Sequence, residues 1–137
     1  MELTLDDARQ ALAAQPFSVL VGARMAAFGG GGATLEIDIR AELTQQNGFL
    51  HGGVLSYAAD NAITFAAGSL LGPAVLTGGF SIEYLRPAVG RLLVATARVT
   101  RSTDRQAVAR CELTTVDGTG TRTVVATAQG TVVVVNV

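Results

Sequence analysis

Residues 54–68 have the length of a helix, a single charged side chain, and apolar residues pointing to almost every side. Leu55, Ala58, Ala59, Ala62, Ile63 and Phe65 cannot all be turned to one face, so a helix here has to be covered by the rest of the chain. The pattern predicts a central helix over residues 53–71, with the remaining chain wrapped around it. The breaks in its apolar coat are Ser56, Asp60 and Thr64, spaced i, i+4, i+8 along one stripe, with Tyr57 and Asn61 as a neighbouring pair. An ionised carboxylate at Asp60 is costly in such surroundings unless it is partnered or used.

The rest of the chain reads mostly as strands. Residues 3–14 predict a first helix, with Thr4 as cap, Asp6 and Asp7 in the first turn, and an end before Pro16. Residues 19–28 and 33–40 predict a hairpin across the run Gly29 to Gly32; Leu35, Ile37 and Ile39 alternate with polar residues, and no Lys-Ser/Thr follows the glycines to make a phosphate loop. After Gly72-Pro73, residues 75–85, 92–102, 106–116 and 122–135 read as a four-strand meander, and Gly78-Gly79 marks a bulge or a close backbone approach. A strand pair, a long buried helix and four more antiparallel strands make an α+β layer in which a curved antiparallel sheet wraps one long central helix.

The chain's 137 residues suit one domain spanning residues 1–137 and one core. Its longest apolar runs fall well short of the ~20 residues of a membrane span. The acidic start Met1 to Asp7 lacks the bases of a signal peptide, and the lone Cys111 cannot form an internal disulfide. A soluble, cytoplasmic protein without membrane contact is expected. A net charge of −1 argues against general affinity for nucleic acid. The charge is uneven, however: residues 86–137 hold seven Arg against three acids. That excess is either a solvated sheet face or a small phosphate-binding patch, and Arg86, Arg91, Arg101 and Arg105 are the candidates for the second reading.

Ahead of the central helix stands Gly48-Phe49-Leu50-His51-Gly52-Gly53; Asp60-Asn61-Ala62 begins nine positions after the His, and Ser81-Ile82-Glu83-Tyr84-Leu85-Arg86-Pro87-Ala88 lies further on. These three blocks, in this order and at these separations, resemble the acyl-CoA thioesterases of the PaaI type, over about residues 17–135. The predicted architecture is the hotdog fold that this family has. The resemblance implies hydrolysis of an acyl-CoA or aryl-CoA thioester to free acid and CoA, without metal or redox cofactor. It also implies a site shared across a homodimer, alone or within a tetramer built as a dimer of dimers.

The residues suggest how such a site would work. At a helix start the Gly52 N–H, unshielded by a side chain, can receive a polarised carbonyl oxygen. Asp60 would activate water as general base or attack the carbonyl as nucleophile. Eight residues at ~1.5 Å each put the two about 12 Å apart along the axis, too far to meet at one carbonyl carbon within one chain. They must come from different chains. His51, the only histidine, is expected to hold the loop and the Gly52 peptide. The resemblance assigns Gln45 to orienting the water or the thioester, with Asn47 nearby but displaced. It assigns Thr77 to a hydrogen bond with the acid or the water, with Ser81 as the other choice if the glycine bulge shifts the register. Two other functions share this architecture. One is an acyl-thioester hydratase or dehydratase, whose longer His-containing motif is missing here, and the other is a non-catalytic acyl-CoA-binding module.

Overall fold

The computed structural model describes residues 2–136. Helix α1 (Leu5–Ala13) is held by a reciprocal cap: Thr4 Oγ1 accepts from the Asp7 N–H at 3.1 Å, and the Asp7 carboxylate accepts from the Thr4 N–H at 2.8 Å. The chain then turns at Gln15 into a second helix, α2 (Pro16–Val21), so the strand expected over 19–28 shrinks to β1 (Arg24–Gly29). Pro16 sits in the first helical turn, where its fixed φ fits and its missing N–H is not needed, and Gly22 at φ +85° ends the helix. Six residues are too few for a helical period to stand out from the apolar run Val19 to Val21.

β1 and β2 (Gly32–Asp38) form the expected hairpin. Its turn needs positive φ at both central residues, here Gly30 at +60° and Gly31 at +85°. A short 3₁₀ turn (Ala41–Leu43) leads to α3 (Gly52–Leu71), β3 (Val75–Tyr84), β4 (Leu92–Ser102), β5 (Gln106–Val116) and β6 (Arg122–Val134). All six strands make one antiparallel sheet in the order β1-β2-β4-β5-β6-β3.

The meander therefore has three strands, β4 to β6, and not the expected four. β3 lies at the far edge beside β6, and residues 85–91 carry the chain past the start of α3, where the Leu50 N–H donates to the Ala88 carbonyl at 3.0 Å. Alternation tells which residues face the core, and every pairing order satisfies it. The choice is made by burial: β2 beside β4 sets Leu35 opposite Ala95 and Ile37 opposite Leu93, all without exposed surface, and a β3–β4 hairpin would forgo that contact.

Ala58, Ala59, Ala62, Ile63, Ala66 and Ala67 of α3 are fully buried and join one core with Leu93, Ala95, Ala109, Leu113, Ala126 and Val132 of the sheet. Small residues on both sides let the helix settle close to the strands, so truncating a large one leaves a hole; Ile63→Ala is expected to cost ~2–5 kcal/mol. Within the sheet, Gly130 of β6 gives room to β3, since a Cβ there would lie 2.8 Å from Phe80 Cβ and 3.0 Å from the Gly79 carbonyl oxygen. Along β3, in contrast, Leu76 and Tyr84 are more than half exposed, and the strand's outer edge has no partner among the described residues. Among those residues no helix is long and apolar enough to cross a membrane.

Candidate active site

The start of α3 is built from a tight turn. The Gln45 N–H donates to the Phe49 carbonyl at 2.8 Å and the Gly48 N–H to the Gln45 carbonyl at 3.0 Å. The Gln45 side-chain oxygen turns back to accept from the Asn47 N–H, and the amide nitrogen of Gln45 has no partner among the described residues. His51 is the N-cap of α3, and its Nδ1 accepts from the Gly53 N–H at 2.8 Å. The imidazole therefore grips the peptide between Gly52 and Gly53 by its N–H. A Cβ at residue 53 would come within 2.9 Å of that Nδ1, and one at residue 52 would meet the Tyr84 ring at 3.4 Å. Neither glycine has positive φ; the crowding is at Gly53, while a Cβ at residue 52 would make an ordinary contact with the Tyr84 ring.

Of the first N–H groups of α3, that of Gly53 is capped and that of Val54 donates to the His51 carbonyl. The Gly52 N–H has no acceptor among the described residues, so it stands free at the positive end of a 20-residue helix. Tyr84, to which the sequence motif attached no role, steadies this corner: its hydroxyl donates to the Gly52 carbonyl at 3.1 Å and pairs with Ser56 Oγ at 2.7 Å. Gln45, Gly52, Tyr84 and Arg86 line one open groove of about 340 Å³.

Two turns along α3, Asp60 is half-buried and makes no ion pair among the described residues. Thr77 Oγ1 donates to Asp60 Oδ1 at 2.6 Å, while Thr64 Oγ1 lies 2.6 Å from Thr77 Oγ1 and 2.8 Å from the Asp60 carbonyl oxygen. The bulge occurs after Thr77, between it and Gly79, so Thr77 keeps its place on the helix side while Ser81 is exposed opposite Gln129. Of the two hydroxyls, Thr77 is the one brought to the acid.

The four arginines divide. Arg86 lines the Gly52 groove and Arg91 stands beside Gly118 at the same end of the sheet, whereas Arg101 and Arg105 flank the β4–β5 turn at the opposite end. An 11-residue strand at ~3.4 Å per residue separates the ends by about 35 Å, so one chain cannot gather all four on one phosphate.

A second polar cluster lies beside the first. The Tyr57 hydroxyl donates to Ser18 Oγ at 2.5 Å, Ser18 donates to Gln15 Oε1 at 2.6 Å, and Asn61 Nδ2 reaches Tyr57 at 3.0 Å and Gln15 at 3.2 Å. Burial pushes the Tyr57 phenol above its ordinary value, against the opposing effect of its hydrogen bonds with Ser18 and Asn61, so it stays neutral. The sequence marked Tyr57 and Asn61 only as a pair, and nothing local pointed to Gln15 and Ser18. Among the described residues no group of three His, Cys, Asp or Glu is placed to hold a metal ion.

Residues 47–121, the span that holds Gly52, Asp60 and Thr77, match the family model described as the thioesterase superfamily. A solved thioesterase family protein from Silicibacter pomeroyi is 32% identical, with 92% of this chain and 93% of that one covered and a TM-score of 0.87. A thioesterase from Haemophilus influenzae (21% identity, 99% and 93% covered, TM-score 0.84) has the same fold. So does the PaaI protein from the phenylacetic acid degradation operon of Escherichia coli (23% identity, 97% of each chain covered, TM-score 0.81). No curated protein sequence matches. The resemblance carried by the three sequence blocks and the hotdog architecture both hold. With thioester hydrolysis as its general activity, the chain belongs to the thioesterase superfamily.

Proposed function

We propose that the protein hydrolyses an acyl-CoA or aryl-CoA thioester to free acid and CoA, in sites completed by a second copy of the chain. The observation that supports this most is the pair of groups on α3 left uncommitted among the described residues: the Gly52 N–H, and an Asp60 carboxylate steadied by Thr77 and paired with no cation there. The Gly52 N–H of one copy would polarise the thioester carbonyl, with the helix dipole behind it. Asp60 of the other copy would take a proton from water as the water oxygen bonds to the carbonyl carbon; the C–S bond then breaks and the sulfur leaves as CoA thiol. The direct route, attack by Asp60 to give an anhydride that water then opens, yields the same products.

A second copy is called for by distance and by the sheet edge. The unpaired outer edge of β3 runs ten residues with half-exposed apolar side chains, which is a template for strand pairing. A twofold axis there sets two α3 helices antiparallel and creates two equal sites, in a dimer or a dimer of dimers. The ends of the sheet then exchange neighbours, so Arg101 and Arg105 of one copy come to the end that holds Arg86 and Arg91 of the other. Those are the groups we assign to the CoA phosphates. Substrates of this class suit a cytoplasmic setting.

The purified protein, incubated with a panel of CoA thioesters and a thiol reagent, is expected to release free CoA. Hydration of an enoyl thioester without thiol release would make it a hydratase, and binding without turnover would make it a sensing module. Mixing Asp60→Ala with Gly52→Val chains tests the shared site. Random exchange makes half the dimers mixed, each with one complete site of two, so about a quarter of wild-type activity should return.

A further inference from the structure

Asp60 and Gly52 both belong to α3, and both are tied to β3. Near the start of that strand the Thr77 hydroxyl donates to the Asp60 carboxylate, and at its end the Tyr84 hydroxyl donates to the Gly52 carbonyl. The second bond is the less expected. In the first turn of a helix it is the N–H groups that lack partners, while the carbonyls are taken up by the hydrogen-bond ladder. The Gly52 carbonyl therefore does not need Tyr84 to be satisfied, and what the bond adds is direction.

The Tyr84 proton goes to Gly52, so the contact of 2.7 Å with Ser56 runs from the Ser56 hydroxyl to the Tyr84 oxygen. A serine within a helix can bond back to the carbonyl four residues earlier, here that of Gly52. Tyr84 stands between the two instead, and replaces a contact inside the turn by one that reaches the sheet. Its own backbone is anchored there, opposite Ala126 of β6, with the next N–H, that of Leu85, donating to the Val125 carbonyl at 2.8 Å. The peptide unit between Gly52 and Gly53 is thus gripped at both polar ends, its carbonyl by Tyr84 and its N–H by His51 Nδ1. A unit flanked by two glycines is otherwise the least restrained that a chain can have. Its tilt governs the preceding unit, which carries the Gly52 N–H, because the bond from the Val54 N–H to the His51 carbonyl closes across it at 2.9 Å.

We infer that Tyr84, oriented by Ser56, is a positioning residue that sets the direction of the Gly52 N–H and thereby kcat. The role rests on the proposed reading of Gly52 as the donor that receives the thioester oxygen. Such a donor works by being fixed before the charge develops, and one at a glycine pair free to tilt would have to be reordered in every turnover. Tyr84 acts through Gly52 alone, since its single proton is already committed to that carbonyl.

The test is the steady-state kinetics of Tyr84→Phe, which keeps the ring beside Gly52 and removes the hydroxyl, on the thioester that the wild type turns over best. kcat should fall about tenfold with KM within about twofold, the pattern of an interaction realised in the transition state; loss of an oxyanion donor itself costs ~10²–10³-fold. Ser56→Ala frees the tyrosine hydroxyl without removing it and should lose about two- to threefold. The double variant should lose no more than about twice what Tyr84→Phe loses alone, since both side chains act in one chain of bonds. Sedimentation of the same samples checks that variants and wild type are the same species.

Amide exchange followed by NMR gives a readout free of turnover. In Tyr84→Phe the Gly53 and Val54 amides should exchange faster, while those of the core residues Leu113 and Val125 keep their wild-type rates. An unchanged kcat in an active enzyme, a rise in KM alone, or a speeding of core and turn amides together overturns the positioning role and leaves the thioesterase reading standing. A wild-type protein that releases no CoA from any thioester overturns that reading instead, and the exchange rates then decide by themselves whether Tyr84 holds the peptide.

Discussion

Two polar stripes run side by side along α3, about 100° apart around its axis, and the protein treats them differently. Tyr57 and Asn61 meet Gln15 and Ser18 from the start of the chain, and five hydrogen bonds among these four side chains use most of what they can offer. Asp60 receives one strong bond from Thr77 and a long one of 3.5 Å from Thr64. A carboxylate has about four lone-pair sites, so most of its accepting capacity is left for water or substrate. A polar group inside a helix coat is structural when its partners saturate it, and stays available for chemistry when they do not.

Asp60→Asn is the hardest trial of that contrast. The substitution keeps shape and removes the base or nucleophile, so kcat should fall ~10² to 10⁴-fold while the thermal midpoint stays within about 3 °C of wild type. Retention of a third or more of the activity on the best thioester would remove Asp60 from the reaction. Thr77→Val comes next. It deletes the one strong donor to the carboxylate, and a loss of roughly tenfold in kcat, about 1.4 kcal/mol, is expected from a single hydrogen bond to a charged group. If Thr77 only packed β3 against α3, kcat would not move and only the melting curve would.

Tyr57→Phe should act in the opposite sense. Removing the hydroxyl leaves Ser18 with only the longer bond of 3.3 Å from Asn61, and Asn61 with one acceptor fewer, for a loss of about 1–2 kcal/mol in unfolding free energy by urea titration. Turnover of a small thioester should remain within about threefold, since that change corresponds to under 1 kcal/mol in the barrier. A Tyr57→Phe protein of full stability and poor kcat would reverse the roles of the two stripes.

What could be read from residues alone follows the same division. The all-round apolarity of residues 54–68 announces α3, and alternation places β4 and β5 with the bounds they have. Those signals are local. Strand order is not, because an alternating strand fits equally well beside any neighbour, and so the position of β3 at the far edge left no mark. The short α2 was hidden by its own apolar residues. At the site, the free Gly52 N–H follows from a glycine at a helix start, and Asp60 from a charge inside an apolar coat. The Thr77 contact came from a resemblance, and its geometry depends on a bulge that two adjacent glycines only suggest. Gln15 and Ser18 lie about forty residues from the groups they bind, a distance that no sequence period spans.

Cys111 sharpens the comparison from outside both stripes, as a reactive group that burial has silenced. It faces the core from β5, and burial, with Glu112 adding to it, pushes the thiol from an ordinary 9.0 to about 12. At pH 8 only about one molecule in ten thousand would carry the thiolate, so the native protein should leave a thiol reagent uncoloured and CoA release can be followed without background. The sign for stability follows from the raised value. The folded state holds the proton more tightly than the unfolded chain, so this contribution is intact below pH 9 and is lost as the pH rises towards 12, by up to about 1.4 kcal/mol per unit. Tyr57, also shifted upward, adds to the loss only above its own ordinary value of 10.0. Urea midpoints measured at pH 7.5 and 10 should therefore fall between the two in wild type and change less in Cys111→Ala, whose kcat at neutral pH should match wild type. Rapid labelling of Cys111 in the native protein would instead mean that the sheet opens beneath α3, and the contrast between saturated and available groups would then have to include motion of the core.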